Sequence, residues 1–159
     1  MAVACDQPPH NFAWGGGGYI AAHVRLGDFA APSTPTELAS GKANLRIPIE
    51  WYLDVFRQMR ARYPKLPLRI LSDGSDAELA PLLSTGATVW RTGSDLGDLY
   101  ALAGASVLIG SNSTYSRWAA FLGDMPSLWL RTAIPAEQPT SAQTPIAYAS
   151  LEGKIETAL

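Results

Sequence analysis

A single cysteine, Cys5, leaves this 159-residue chain no partner for an internal disulfide and no thiolate set for a structural metal site. Histidine is nearly as scarce. His10 and His23 cannot hold a zinc ion by themselves, so no metal centre is expected. Charge of one sign is lacking too: 12 Lys and Arg against 14 Asp and Glu give a net charge of −2. That excludes a broad basic field for nucleic acid or anionic lipid, and any phosphate recognition has to be local. No apolar run reaches the length of a membrane span, and the N-terminus lacks a basic stretch followed by an apolar one. The expectation is a cytoplasmic protein with neither membrane nor nucleic acid as partner. Two phosphate motifs are also missing. G-x-x-x-x-G-K-[ST] does not occur, which excludes a P-loop NTPase, and no G-x-G-x-x-G follows the first strand, which ranks an NAD-dependent Rossmann enzyme last.

What is present reads as one domain, residues 19–159, behind a flexible segment, residues 1–18. That segment has Pro8-Pro9 and the glycines Gly15 to Gly18, which precede a strand rather than follow it and so form a linker, not a dinucleotide loop. Strands are expected at Tyr19–Arg25, Leu66–Leu71, Ala87–Trp90, Ser106–Ile109 and Ser127–Leu130. Between them lie helices opening at Pro48, at the capping box Ser75–Glu78, at Asp95 and after Ser113. Ile49, Tyr52, Leu53, Phe56, Met59 and Tyr63 fall on one helical face, while Arg57, Arg60 and Arg62 read as solvated surface. From about residue 132, Pro135, Pro139 and Pro145 predict an irregular tail, with a short helix over Ser150–Ala158. Five strands alternating with helices predict an α/β fold: a Rossmann-like, mostly parallel sheet with helices on both faces.

In such a sheet ligands gather at the carboxyl ends of strands. His23, Arg25 and Asp28 stand at the end of the first strand. Arg25 either pairs with Asp28 or presents its planar fork to two phosphate oxygens. Gly110 to Thr114 is a small polar turn from a buried strand into a helix, so its N–H groups and hydroxyls suit an anion. Asn112 or Ser113 equally suits a plain helix cap. Asp73 follows the second strand beside Gly74, as a turn residue does. Asp98 lies in a helix first turn, where the dipole favours an acid whatever the function. The long segment Ala30–Ile47 has no sustained period, the mark of a lid or binding loop.

These segments together resemble the donor-binding half of GT-B fucosyltransferases, which use GDP-fucose. His23-Val24-Arg25-x-x-Asp28 is similar to the family's His-x-Arg motif. Ile47-Pro48-Ile49-Glu50-Trp51-Tyr52-Leu53 is similar to the helix start of the alpha-1,6 branch, and Leu71-Ser72-Asp73 to the motif after its second strand. Asp98-Leu99 through Asn112-Ser113-Thr114-Tyr115-Ser116-x-Trp118-x-Ala120-x-Leu122 is similar to a block of the alpha-1,2 branch. The resemblance runs from Tyr19 to Leu130. It implies one lobe of a GT-B fold and an inverting, metal-independent transfer of fucose from GDP-fucose to a glycan hydroxyl, with no cofactor beyond the donor. Arg25 would bind the β-phosphate and assist its departure. Ser113 and Thr114 would contact phosphate with Ser116 nearby, Asn112 and Asp73 would line the site, and His23 and Asp98 would meet the guanine. Glu37 or Asp28 would take the acceptor proton, or Asp28 would orient Arg25. The chain departs from the family at Leu26, where many relatives have a second arginine, and at Arg117, where the alpha-1,2 branch has tryptophan. The N-terminal acceptor lobe is absent from the sequence, so an acceptor lobe or partner chain is an implied partner. The alternative is a non-catalytic module that holds GDP or a GDP-sugar.

Overall fold

Ile20–Val24 (β1) is buried at every position, and its side chains alternate between two cores. Ile20, Ala22 and Val24 join one apolar cluster, and Ala21 joins the other. The computed structural model describes residues 18–133 and 144–156. Of the N-terminal segment 1–18, residues 1–17, with Cys5 and His10, lie outside the described residues.

The chain continues through Pro35–Ala39 (α1), Ile49–Arg62 (α2), Leu68–Ser72 (β2), Asp76–Leu83 (α3) and Thr88–Val89 (β3). It then forms Asp95–Ala103 (α4), Val107–Ile109 (β4), Thr114–Gly123 (α5), Ser127–Leu130 (β5) and Ile146–Ala149 (β6). The sheet has six strands in the order β3-β2-β1-β4-β5-β6, every pair parallel. This is the doubly wound order, and the winding reverses between β1 and β4. A crevice therefore opens at the carboxyl ends of those two strands.

Helices α2 and α3 cover one face, α4 and α5 the other. Helix α2 buries Trp51, Tyr52, Val55, Phe56 and Met59, and each such large apolar side chain contributes about 1.5–3 kcal/mol on leaving water. The expected face is thus right at Tyr52, Phe56 and Met59, while Ile49, Leu53 and Tyr63 pack at its edge. Arg60 is not solvated surface: it donates to the carbonyls of Leu66, Thr85 and Gly86 and latches α2 to the turns around it.

Three further differences from the expected elements have physical causes. Segment 30–47 contains a helical turn, α1, because Thr34 caps it and Pro35 opens it. The region after residue 144 is not an irregular tail; β6 pairs in register with β5, and Ala149 bridges back to Ile155. No helix forms over the described residues 150–156, where Gly153 takes a positive φ of 77° and turns the chain. Pro135 and Pro139 lie outside the described residues.

Candidate functional site

At the end of β1 the chain turns through Leu26 and Gly27, and Asp73, just beyond β2, holds that turn. Its carboxylate accepts from the N–H of Leu26 at 2.8 Å and of Gly27 at 2.9 Å, and lies 3.2 Å from Arg25 Nε. A Cβ on Gly27 would stand 2.5 Å from Asp73 Oδ2, so only glycine lets the backbone approach this closely. Asp73 is therefore more than a turn residue beside Gly74. Arg25 Nε also donates to Asp28 Oδ1 at 2.9 Å, and this bond holds the guanidinium in its charged form. Arg25 in turn keeps the exposed Asp28 ionised below the usual carboxylate range. Both carboxylates grip Nε. The two terminal amines of Arg25 have no hydrogen-bond partner among the described residues and are free to meet a ligand.

The neighbouring strand end, β4, is built from hydroxyls instead. Ser113 caps α5 by accepting from Ser116 N at 3.2 Å, leaving the N–H groups of Thr114 and Tyr115 without a partner among the described residues. Ser116 Oγ lies 2.6 Å from His23 Nδ1 and accepts from Ser111 N at 3.0 Å. Ser111 Oγ lies 3.0 Å and Ser113 Oγ 3.5 Å from the same ring nitrogen. This cluster ties β1 to the β4–α5 turn from inside. Burial, and secondarily the charge on Arg25, push the His23 imidazole down to about 4, so the ring is neutral. The carbonyl of His23 accepts from the buried Tyr52 hydroxyl on α2 at 3.2 Å.

Asn112 points away from the serines and donates to the carbonyl of Lys42 at 3.0 Å. Together with the bond from Ala133 N to Ala39 O at 2.7 Å, this folds the α1 segment across the carboxyl edge of the sheet. Glu37 lies in that segment and is engaged on both oxygens, by Lys42 Nζ at 2.5 Å and Ser33 N at 2.8 Å. The Lys42 bond holds its carboxyl below the usual range. Asp98 accepts through Oδ1 from Thr92 Oγ1 at 2.7 Å and Thr92 N at 3.1 Å, closing the loop before α4; among the described residues Oδ2 takes no hydrogen bond. Thr114 is exposed at the mouth of the turn, whereas Ser116 is sealed beneath it.

Thus the β1 end with His23, Arg25, Asp28 and Asp73 adjoins the turn of Ser113, Thr114 and Ser116 at the switch point through His23. Asn112 ties that turn to the α1 strap, and Glu37 lies on the strap. Sequence reasoning overlooked two contributors. Arg46 bonds the carbonyl of Phe29 at 2.6 Å and steadies the loop after β1. Tyr52 reaches His23, and the signal for it was a hydroxyl on an otherwise apolar helix face. A larger hollow of about 360 Å³ at the β3 edge, lined by Leu83, Ala87, Thr88, Val89 and Asp76, lacks converging donors. Among the described residues no group of three His, Cys, Asp or Glu is placed to hold a metal ion, and no helix is long and apolar enough to cross a membrane.

No family model matches the chain, and no curated protein matches it. Among solved structures it is similar to E. coli heptosyltransferase WaaC with ADP, at 14% identity and a TM-score of 0.49. The match covers 86% of this chain and 39% of that one, so this chain spans well under two thirds of that structure's length. The fold assignment stands on strand order and parallel pairing rather than on this likeness.

Proposed function

We propose that this chain is the donor-binding lobe of a GT-B glycosyltransferase that moves fucose from GDP-fucose to a glycan hydroxyl, with inversion and without a metal. The observation that carries the reading is that Ser113 Oγ lies 3.5 Å from the ring of His23, two residues before Arg25, at the switch point between β1 and β4. Both segments also carry the sequence motifs that resemble the fucosyltransferases. On this reading the acceptor oxygen attacks the anomeric carbon while the bond to the β-phosphate breaks and GDP leaves with the electron pair. The terminal amines of Arg25 and the N–H groups of Thr114 and Tyr115 receive the developing charge. Donors preorganised in this way are worth about 2.7–4 kcal/mol each where they have been removed from other enzymes. Asp28 and Asp73 aim Arg25 by holding its Nε, and Asp98 Oδ2 is the free oxygen for the guanine N–H groups. The acceptor proton goes to a carboxylate, with Asp28 and Glu37 as the candidates.

A second reading, a GDP-sugar-binding module without turnover, is favoured by Glu37, whose two oxygens are already taken by Lys42 and Ser33. Calorimetry tests the shared claim. GDP should bind and ADP should bind at least tenfold more weakly; Arg25→Ala should lose GDP affinity while Arg57→Ala, on the α2 surface, keeps it. Equal affinity of the two variants would defeat the phosphate assignment. Asp98→Ala should abolish the preference for GDP over ADP. Release of fucose to mixed glycans, with and without an acceptor-lobe partner, then separates enzyme from module.

A further inference from the structure

Eight of the nine arginines have their guanidinium engaged by a carboxylate, a carbonyl, a hydroxyl or an aromatic face. Arg117, on the second turn of α5, is the exception among the described residues. Its Nε is buried and makes no hydrogen bond. An uncompensated, partly desolvated charge is costly unless something arrives to meet it. The side chain lines a cleft of about 30 Å³ between the ends of β4 and β5, with Ser111, Asn112, Leu130 and Thr132 around it. A water needs roughly 10–15 Å³, so the cleft admits one or two oxygen atoms and not a base or a sugar ring.

The contrast with Arg25 is electrostatic. Asp28 and Asp73 touch Arg25 and Asp95 faces it, so that side of the crevice carries no surplus positive charge. Among the described residues no carboxylate lines the Arg117 cleft.

We infer that Arg117 is a specificity-determining anion contact: its cleft takes phosphate oxygens of the bound ligand and supplies the positive charge that the Arg25 side lacks. This rests on the nucleotide-sugar reading for the identity of the ligand, but not for the anion contact itself. Inorganic pyrophosphate, GDP and guanosine are titrated calorimetrically into the wild-type chain, Arg117→Met, which keeps the apolar stem, Arg117→Lys and Arg25→Ala. Pyrophosphate and GDP should each bind Arg117→Met about tenfold more weakly or worse, with Arg117→Lys between, and guanosine should be indifferent to both changes. Arg117→Met should unfold at the wild-type temperature or above, since it removes a partly buried guanidinium whose Nε has no partner. Undiminished pyrophosphate binding by Arg117→Met, or no pyrophosphate binding by the wild-type chain, overturns the inference. Arg117-dependent pyrophosphate binding without any gain from the guanosine part leaves the inference standing and removes the GDP reading instead.

Discussion

The ends of β1 and β4 lie side by side and hold their turns in opposite ways. At β1 the turn is held by charge: one carboxylate, Asp73, grips two backbone N–H groups and a guanidinium. At β4 the turn is held by neutral hydroxyls gathered on a buried imidazole. The charged end is partly exposed, and the hydroxyl end is sealed under α5. Charge suffices where water can screen the surplus; in the dry interior only groups that satisfy one another without net charge are tolerated. The pair thus combines a fixed electrostatic anchor with a rigid, uncharged seat for a helix N-terminus.

Removing Asp73 should break the comparison most severely. Asp73→Ala strands two N–H groups and releases Arg25, so a loss of about 1.5–3 kcal/mol in urea unfolding is expected, together with loss of GDP binding. Ser116→Ala should cost about 1 kcal/mol, because Ser111 still reaches His23, and it should weaken GDP binding only slightly. If the two variants were equally destabilised, the distinction between the two anchors would fail.

The pH dependence sharpens the same contrast. The folded His23 titrates near 4, below an ordinary imidazole at 6.5, because burial resists its charge. Below about 6.5 the unfolded chain takes a proton that the native ring refuses, so stability falls with acid by up to about 1.4 kcal/mol per pH unit. The loss levels off once the native ring protonates near 4. Above 6.5 this group adds no slope. Denaturant midpoints for wild type and His23→Gln, compared from pH 7 to pH 5, should converge as pH falls. A constant gap would mean that His23 titrates alike in the folded and unfolded chain, and a gap that widens with acid would mean that it is charged inside the fold.

The sheet was legible in the sequence because its strands are short apolar runs bounded by turn residues, and the helix starts at Ser75, Ser94 and Ser113 announce themselves by their caps. Strand β6 was hidden: Ile146–Ala149 follows a proline-rich stretch and becomes a strand only because β5 offers it an edge. The place of Arg25 and Ser113 at the crevice was readable from strand ends. Which groups hold them was not, since Asp73 lies 47 positions from Leu26 and nothing local marks the pair. Arg117 stands out in the sequence as a departure from a family motif, but the unpartnered Nε is a property of the packed structure alone.

The most direct measurement is an amide-resolved NMR titration of the labelled chain with GDP. Shifts should concentrate at Leu26, Gly27, Thr114 and Tyr115, the N–H groups on the two sides of the crevice, and should saturate together. Shifts confined to Ala87–Val89 beside the apolar hollow, or no saturable shift at either strand end, would contradict the account.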